Sequence, residues 1–389
     1  MEKQVANAQL MQKMNRLKVL NYVRKHPDTL RPEISRETGL SLASITNITS
    51  YLLDIGILSE NGTETVGRVG RKSTLLRFSK DAYNLICVFL SENFINIYVT
   101  DLLGNPFEKF KHPTKGLSSD DVISLIKNSL TDIVEKNEKG TILGIGVAIS
   151  GLVLENSRFI FSSKFKWKSF DVKAILEEAT SLPVFVDNIS PVRASWHFNV
   201  KNTYNKGNML FIDLENGIGA VWFSNGQINT SVLGEIGHTT VEKDGEPCFC
   251  GNRGCLEAMC STKRLMSLYE SATGQRLDSS ASLEKLYIDG DKSAVFAIND
   301  CARYLGIGIA NLVNIFNPTT LIISTGDFDD LPSLLSNAER VFTERAFPSL
   351  TKDLEIAYVT SDDFATVSGM AYNLCDKIFD INCPYNIIE

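Results

Sequence analysis

No stretch of this 389-residue chain approaches the roughly 20 consecutive apolar residues that cross a bilayer, and its start, Met-Glu-Lys-Gln-Val-Ala-Asn, lacks a signal-peptide core. The expectation is a cytoplasmic protein with no membrane partner. Cysteine is sparse outside one place. Of eight cysteines, four crowd between Cys248 and Cys260, a distribution that argues against a disulfide framework and for metal ligation. Extremes of composition are missing too, since 43% apolar and 22% charged residues are ordinary for a soluble protein. At this length the chain holds two or three domains, each with its own core.

Charge is unevenly spread. Residues 1–80 carry 13 Lys and Arg against 7 Asp and Glu, a net of +6, so the overall −7 leaves −13 on the remainder. A basic head on an acidic body suggests that only the head meets a polyanion.

Within the head, Leu10, Met14, Leu17, Leu20 and Val23 recur at helical spacing and predict a first amphipathic helix. Pro32 marks the start of a second helix that stops at Gly39. Ser41 is placed to cap a third helix, which would bury Ile45, Ile48, Leu52 and Ile55. Its outer face then presents Ala43, Ser44, Thr46, Asn47 and Ser50, small and free of carboxylates. Helix, glycine turn, helix is the layout of a DNA-binding helix-turn-helix, with Ser41, Ser44, Thr46, Asn47 and Ser50 toward base edges and phosphates. The segment up to Phe78 reads as a hairpin wing. Its tip holds Arg68, Arg71 and Lys72 among glycines, suited to a minor groove.

The densest chemistry lies further on. His238, Cys248, Cys250 and Cys255 fall within eighteen residues, interleaved with Gly245, Pro247, Gly251 and Gly254. Three sulfurs and one imidazole on a tightly turning backbone form the ligand set of a closed tetrahedral zinc site, structural because no coordination position stays open. Two carboxylates, Glu235 and Glu257, flank this loop and can accept hydrogen bonds from a polyhydroxylated ligand.

Gly234-Glu235-Ile236-Gly237-His238, the Cys-Phe-Cys-Gly-Asn-Arg-Gly-Cys loop and Leu256-Glu257 together resemble the signature of the ROK family, which groups sugar kinases with sugar-responsive transcriptional repressors. The runs Tyr304 to Pro318 and Leu321 to Gly326 resemble ROK proteins as well, so the likeness covers most of residues 85–375. It implies that Glu235, His238 and Glu257 contact a sugar and that His238 and the three cysteines bind zinc. It further implies that the head is the winged helix-turn-helix of the family's repressors, which its kinases lack.

Set beside those kinases, the chain departs where catalysis would happen. Their first phosphate loop, Asp-x-Gly-Gly-Thr, corresponds here to Phe89 with Ser91 and Glu92 at the glycines. The second keeps two of four glycines in Glu215-Asn216-Gly217-Ile218-Gly219-Ala220-Val221. The kinase Pro-Val-x-Val-Glu-Asn-Asp, whose last Asp is the general base, becomes Pro183-Val184-Phe185-Val186-Asp187-Asn188-Ile189. Ile189 can accept no proton, while Asn188 keeps an amide able to hold a sugar hydroxyl.

The expected fold is α/β: an N-terminal winged helix-turn-helix over residues 1–80, then a two-lobed actin-like, hexokinase-like (ribonuclease H-like) ROK body. Lobe 1 is expected over 81–190, with the C-terminal helix at about 365–389 packing back on it, and lobe 2 with the zinc loop over 191–364. The expected function is a sugar-responsive DNA-binding regulator and repressor, without enzymatic turnover. It would act as a homodimer or dimer of dimers on operator DNA, with Asn188, Glu235, His238 and Glu257 holding a sugar or sugar phosphate. Two alternatives stand beside it: a ROK sugar kinase with a DNA-binding appendage, and a repressor controlled by a protein partner with a vestigial sugar site.

Overall fold

The computed structural model describes residues 2–65, 72–91, 93–137, 140–154, 158–162, 167–201, 207–215, 217–225, 227–229, 235–360, 362–385 and 388; for 2–7, 63–65, 72–73, 152, 154, 158–162 and 167–170 it describes the backbone alone. The chain divides into two compact units, the first comprising residues 1–148, 172–186 and 370–389, the second 149–171 and 187–369. Among the described residues, no helix is long and apolar enough to cross a membrane.

The first unit opens with α1 (Glu2–Lys25), α2 (Arg31–Thr38) and α3 (Leu42–Asp54), followed by the antiparallel hairpin β1 (Leu58–Thr65) and β2 (Lys72–Phe78). Local chemistry sets these boundaries. Pro32 occupies the first turn of α2, and the Glu33 carboxylate reaches back to the Leu30 N–H at 3.0 Å. Gly39 ends α2 at φ 73°, a left-handed conformation that glycine adopts without strain, and the Ser41 hydroxyl accepts from the Ser44 N–H to start α3.

Only the second half of α1 is a core face. Leu17, Leu20 and Val23 are buried, whereas Leu10 and Met14, expected on the same stripe, are 50% and 51% exposed. At about 1.5 Å per residue, the 24-residue α1 outruns the 8-residue α2 that packs on it, which leaves Leu10 and Met14 exposed.

The rest of the first unit is built on the sheet ordered β10-β6-β3-β4-β5, from β3 (Asn84–Leu90), β4 (Phe94–Thr100), β5 (Pro106–Pro113), β6 (Ile142–Ile149) and β10 (Val184–Asn188). β3 and β6 are buried along their whole length, which is why both read as continuous apolar runs. Helices α4 (Ser119–Lys136) and α5 (Val172–Thr180) accompany this sheet. In the second unit, β7 (Leu152–Leu154), β8 (Arg158–Ser162) and β9 (Trp167–Phe170) form a small antiparallel sheet of their own.

The second unit is organised on the order β13-β12-β11-β14-β15: β11 (Met209–Asp213), β12 (Gly219–Ser224), β13 (Gln227–Ile228), β14 (Thr320–Ser324) and β15 (Glu355–Val359). β11, β14 and β15 run parallel, while β12 returns antiparallel to β11. Helix α6 (Ile189–Ser195) precedes the sheet and passes into a π-helical turn, Trp196–Val200. Between β13 and β15 come α7 (Leu256–Cys260), α8 (Thr262–Thr273), α9 (Ser280–Ile288), α10 (Lys292–Phe316), α11 (Pro332–Arg345) and α12 (Pro348–Thr351). The core gathers around α10, whose Ala, Leu and Ile side chains are buried along most of its length. The last helix, α13 (Asp363–Ile378), ends in the first unit, where Leu374, Cys375, Ile378 and Phe379 share a core with Leu17, Leu20, Val23 and Phe78 of the head.

Candidate functional site

The cysteine-rich loop is held by its own backbone. The Val241 and Glu242 N–H groups both donate to the Gly254 carbonyl, the Gly254 N–H donates to the Glu246 carbonyl, and the Leu256 N–H donates to the Thr239 carbonyl. Gly254 sits at φ +65°, and a Cβ there would fall 1.5 Å from the Glu242 carbonyl oxygen, so no other residue fits. This folding brings His238 to Cys248, with Nδ1 3.5 Å from Sγ, and sets the Cys250 and Cys255 sulfurs 3.7 Å apart; the four ligand atoms all lie within 4.8 Å of one another. Around one tetrahedral ion with sulfur at about 2.3 Å and nitrogen at about 2.0 Å, the sulfur–sulfur and sulfur–nitrogen edges would be about 3.8 and about 3.6 Å. The donor set and its spacing therefore fit a single metal ion. Burial pushes the Cys255 thiol up to about 12, a proton that a metal must displace.

His238 engages the sulfurs through Nδ1, which leaves Nε2 facing outward, 3.8 Å from the exposed Glu235 carboxylate. Glu257 stands in the first turn of α7, two residues after Cys255, and its Oε2 accepts the Ile218 N–H at 3.2 Å. Its slot is framed by glycines: a Cβ on Gly217 would lie 2.9 Å from that oxygen, and one on Gly237 3.2 Å. Glu257 and the Gly237 N–H thus hold the Ile218 backbone from two sides, with Gly237 immediately before the candidate ligand His238.

Asn188 makes its bonds elsewhere. It caps α6, accepting the Ser190 N–H at 2.9 Å, and donates to the Gly151 carbonyl at 2.7 Å. Ser190 in turn crowds Gly219, where an added Cβ would lie 2.5 Å from its hydroxyl. Ile189, half-buried, is the first residue of α6.

A charged cluster that the sequence does not announce lies beside it. Arg193, 5% exposed, donates to Asp213 at 3.0 Å and pairs with Glu215 at 2.6 Å, and the Ser190 hydroxyl donates to Asp213 at 2.8 Å. Burial pushes the Glu215 carboxyl up to about 7 against the opposing pull of Arg193. Arg193 stands 20 residues before Asp213 with no motif linking them. The one signal was the acidic residue in a loop expected to be glycine.

On the head, Ser41, Thr46, Asn47 and Ser50 are exposed and Ser44 is half-buried, all along α3. Thr46 returns its hydroxyl to the Leu42 carbonyl, while Thr49 is fully buried and accepts from Arg31 at 2.9 Å. Arg68 and Arg71 lie outside the described residues; Lys72 begins β2, and its side chain is not described.

Fold and loop together define the class: a hexokinase-like α/β body with a Cys/His loop, preceded by a helical head. The ROK family model matches residues 87–377, and the chain belongs to the ROK family. It is similar to the xylose repressor of Bacillus spizizenii, 25% identical over 384 residues, covering 97% of this chain and 99% of that protein. A glucokinase of Halalkalibacterium halodurans is 30% identical over 290 residues, 68% of this chain and 87% of the kinase. The crystal structure of a ROK family transcriptional regulator, a homolog of the E. coli MLC protein, superposes with a TM-score of 0.81 at 24% identity, covering 96% of this chain and 98% of that one.

Proposed function

We propose that this chain is a sugar-responsive transcriptional regulator, a repressor of carbohydrate-utilisation genes that binds operator DNA as a dimer and leaves it when a sugar or sugar phosphate occupies the body. One observation carries the reading. A helix with an uncharged, hydrogen-bonding outer face shares the chain with a body in which Glu215, at the start of the segment that resembles the kinases' second phosphate loop, pairs with the buried Arg193. The full-length likeness to a xylose repressor supports it, and makes xylose the first sugar to test.

In this reading Ser41, Ser44, Thr46, Asn47 and Ser50 approach base edges and phosphates, and Arg68, Arg71 and Lys72 reach an adjoining groove. His238, Cys248, Cys250 and Cys255 hold one zinc ion that supplies rigidity alone, since four protein ligands leave no open position. Glu235 and Glu257 accept hydrogen bonds from sugar hydroxyls, the Nε2 side of His238 meets a third, and Asn188 offers the amide hydrogen that Gly151 leaves over. Turnover is absent, because Ile189 can take no proton from a hydroxyl and neither phosphate-loop segment keeps the kinases' full set of glycines. Sugar binding need only differ by a few kcal/mol between two states of the protein to shift operator affinity.

The test is a thermal-shift screen over xylose, hexoses and their phosphates, followed by operator binding with and without the hit. Steady ATP consumption with any sugar would mark the chain as a kinase instead. No shift with any sugar would favour control by a partner.

A further inference from the structure

The buried cluster of Arg193, Asp213 and Glu215 has no part in the sugar contacts, yet its connections run straight to them. Arg193 fixes Asp213 through Nη1 and Glu215 through Nη2, and the Glu215 N–H adds a bond to Asp213 at 3.3 Å. Asp213 also takes the Ser190 hydroxyl, against which Gly219 is seated. The backbone between Gly217 and Gly219 is then tied on its far side. The Ile218 N–H donates to Glu257 and the Ile218 carbonyl accepts the Gly237 N–H at 3.1 Å, one residue from His238. A buried arginine with two carboxylates is expensive to desolvate and stabilises a fold poorly, so positioning accounts for it better than stability does.

We propose that Arg193, Asp213 and Glu215 form a positioning clamp: joining α6 to the end of β11 and to the segment that follows it, they fix Gly217–Gly219 and thereby aim Glu257 and Gly237–His238 at the effector. The role in effector binding rests on the function proposed above; the grip on Ile218 does not.

The clamp is asymmetric in charge. Glu215 faces Arg193 from α6, Asp213 from β11, Asp327 from the turn Gly326–Phe328 and Asp363 from α13. Burial first, and these carboxylates after it, push the Glu215 carboxyl up to about 7, so its charge changes near neutrality, and a neutral Glu215 loses the charge attraction to Arg193 that tightens the loop. Effector affinity falls as pH drops through about 7, by at most about tenfold per unit for one proton.

The experiment uses the full chain loaded with zinc. Amide exchange across residues 217–221 is followed without sugar, and affinity for xylose or the best sugar of the screen is measured at about pH 6 and about pH 8, for the wild type, Arg193→Met, Arg193→Lys and Glu215→Gln. The expected results are Ile218 exchange faster by roughly tenfold in Arg193→Met and sugar affinity weaker by a similar factor, with zinc content unchanged and partial recovery in Arg193→Lys. Glu215→Gln, which keeps its shape and serves if the arginine variants fail to fold, loses the pH dependence. Unchanged Ile218 exchange in both Arg193→Met and Glu215→Gln overturns the clamp. So does a wild-type sugar affinity that neither substitution moves. If exchange responds while no sugar binds the wild type, the clamp stands and the effector reading falls.

Discussion

Arg24 of α1 and Asp376 of α13 form an ion pair in which the arginine side chain is 4% exposed and the aspartate 41%. Around it, Asn21 donates to the Phe379 carbonyl at 3.0 Å, the Arg24 guanidinium lies over the Tyr372 ring, and Phe78 meets Phe379 edge to face. The head is therefore stapled to the end of the last helix. Replacing Asp376 by Ala strands a buried guanidinium and should cost about 1–3 kcal/mol, read from urea unfolding, whereas Lys25→Ala, at the exposed edge of the same pair, should change stability by less than about 0.5 kcal/mol.

Removing the metal should loosen the sugar side of the protein. A chelator should release one zinc ion per chain and lower the melting temperature, and Cys255→Ser should do the same without chelator, since Cys255 is fully buried. Gly254→Ala should fail to hold zinc at all, because its Cβ has no room beside Glu242. Elemental analysis checks all three.

Restoring the missing base should not restore a kinase. Ile189→Asp should leave ATP turnover undetectable, if the segment from Glu215, which keeps two of the kinases' four glycines and pairs with Arg193, no longer cradles phosphate. Calorimetry with ATP and magnesium checks this, and measurable nucleotide binding would speak against it.

Buried histidine predicts an acid limit. His197 is 3% exposed, and burial, helped by the nearby Lys201, lowers it to about 4. Its folded value lies below its unfolded one, so the unfolded chain binds the proton first and stability falls as pH drops from about 6.5 toward about 4, by on the order of 2–3 kcal/mol. His197→Phe, which can stack on Phe211 as the imidazole does, should flatten that stretch of a pH-dependent unfolding curve.

On the head, Asn47→Ala should weaken operator binding by about 1–3 kcal/mol and relax preference at one base pair, if its amide reads a base edge. A uniform loss across sequences would assign Asn47 to a phosphate instead. Electrophoretic shifts on a set of single-base operator variants distinguish the two.

Much of this molecule was legible because its signals are local. Gly39, Ser41 and Pro32 act within a turn of themselves, and the Cys/His loop encodes its own folding in eighteen residues. The apolar stripe of α1 misled at Leu10 and Met14, since periodicity reports what a helix could bury and not how far its neighbours extend. Asn188 read as an amide able to hold a sugar hydroxyl or as a cap for the helix after it, and its carbonyl does cap α6. Arg193, Asp213 and Glu215 escaped notice because their pairing depends on how α6 crosses β11, which no spacing in the sequence records.

The central claim is that this body senses a sugar and governs a DNA-binding head. Its most direct test is the affinity of the zinc-loaded protein for a DNA fragment that it has itself selected from a random pool, titrated with xylose and then with other sugars. The account predicts saturable loss of DNA affinity with at least one sugar, abolished in Glu257→Gln while zinc stays bound. Tight DNA binding that no sugar alters, or no selected DNA at all, would contradict it.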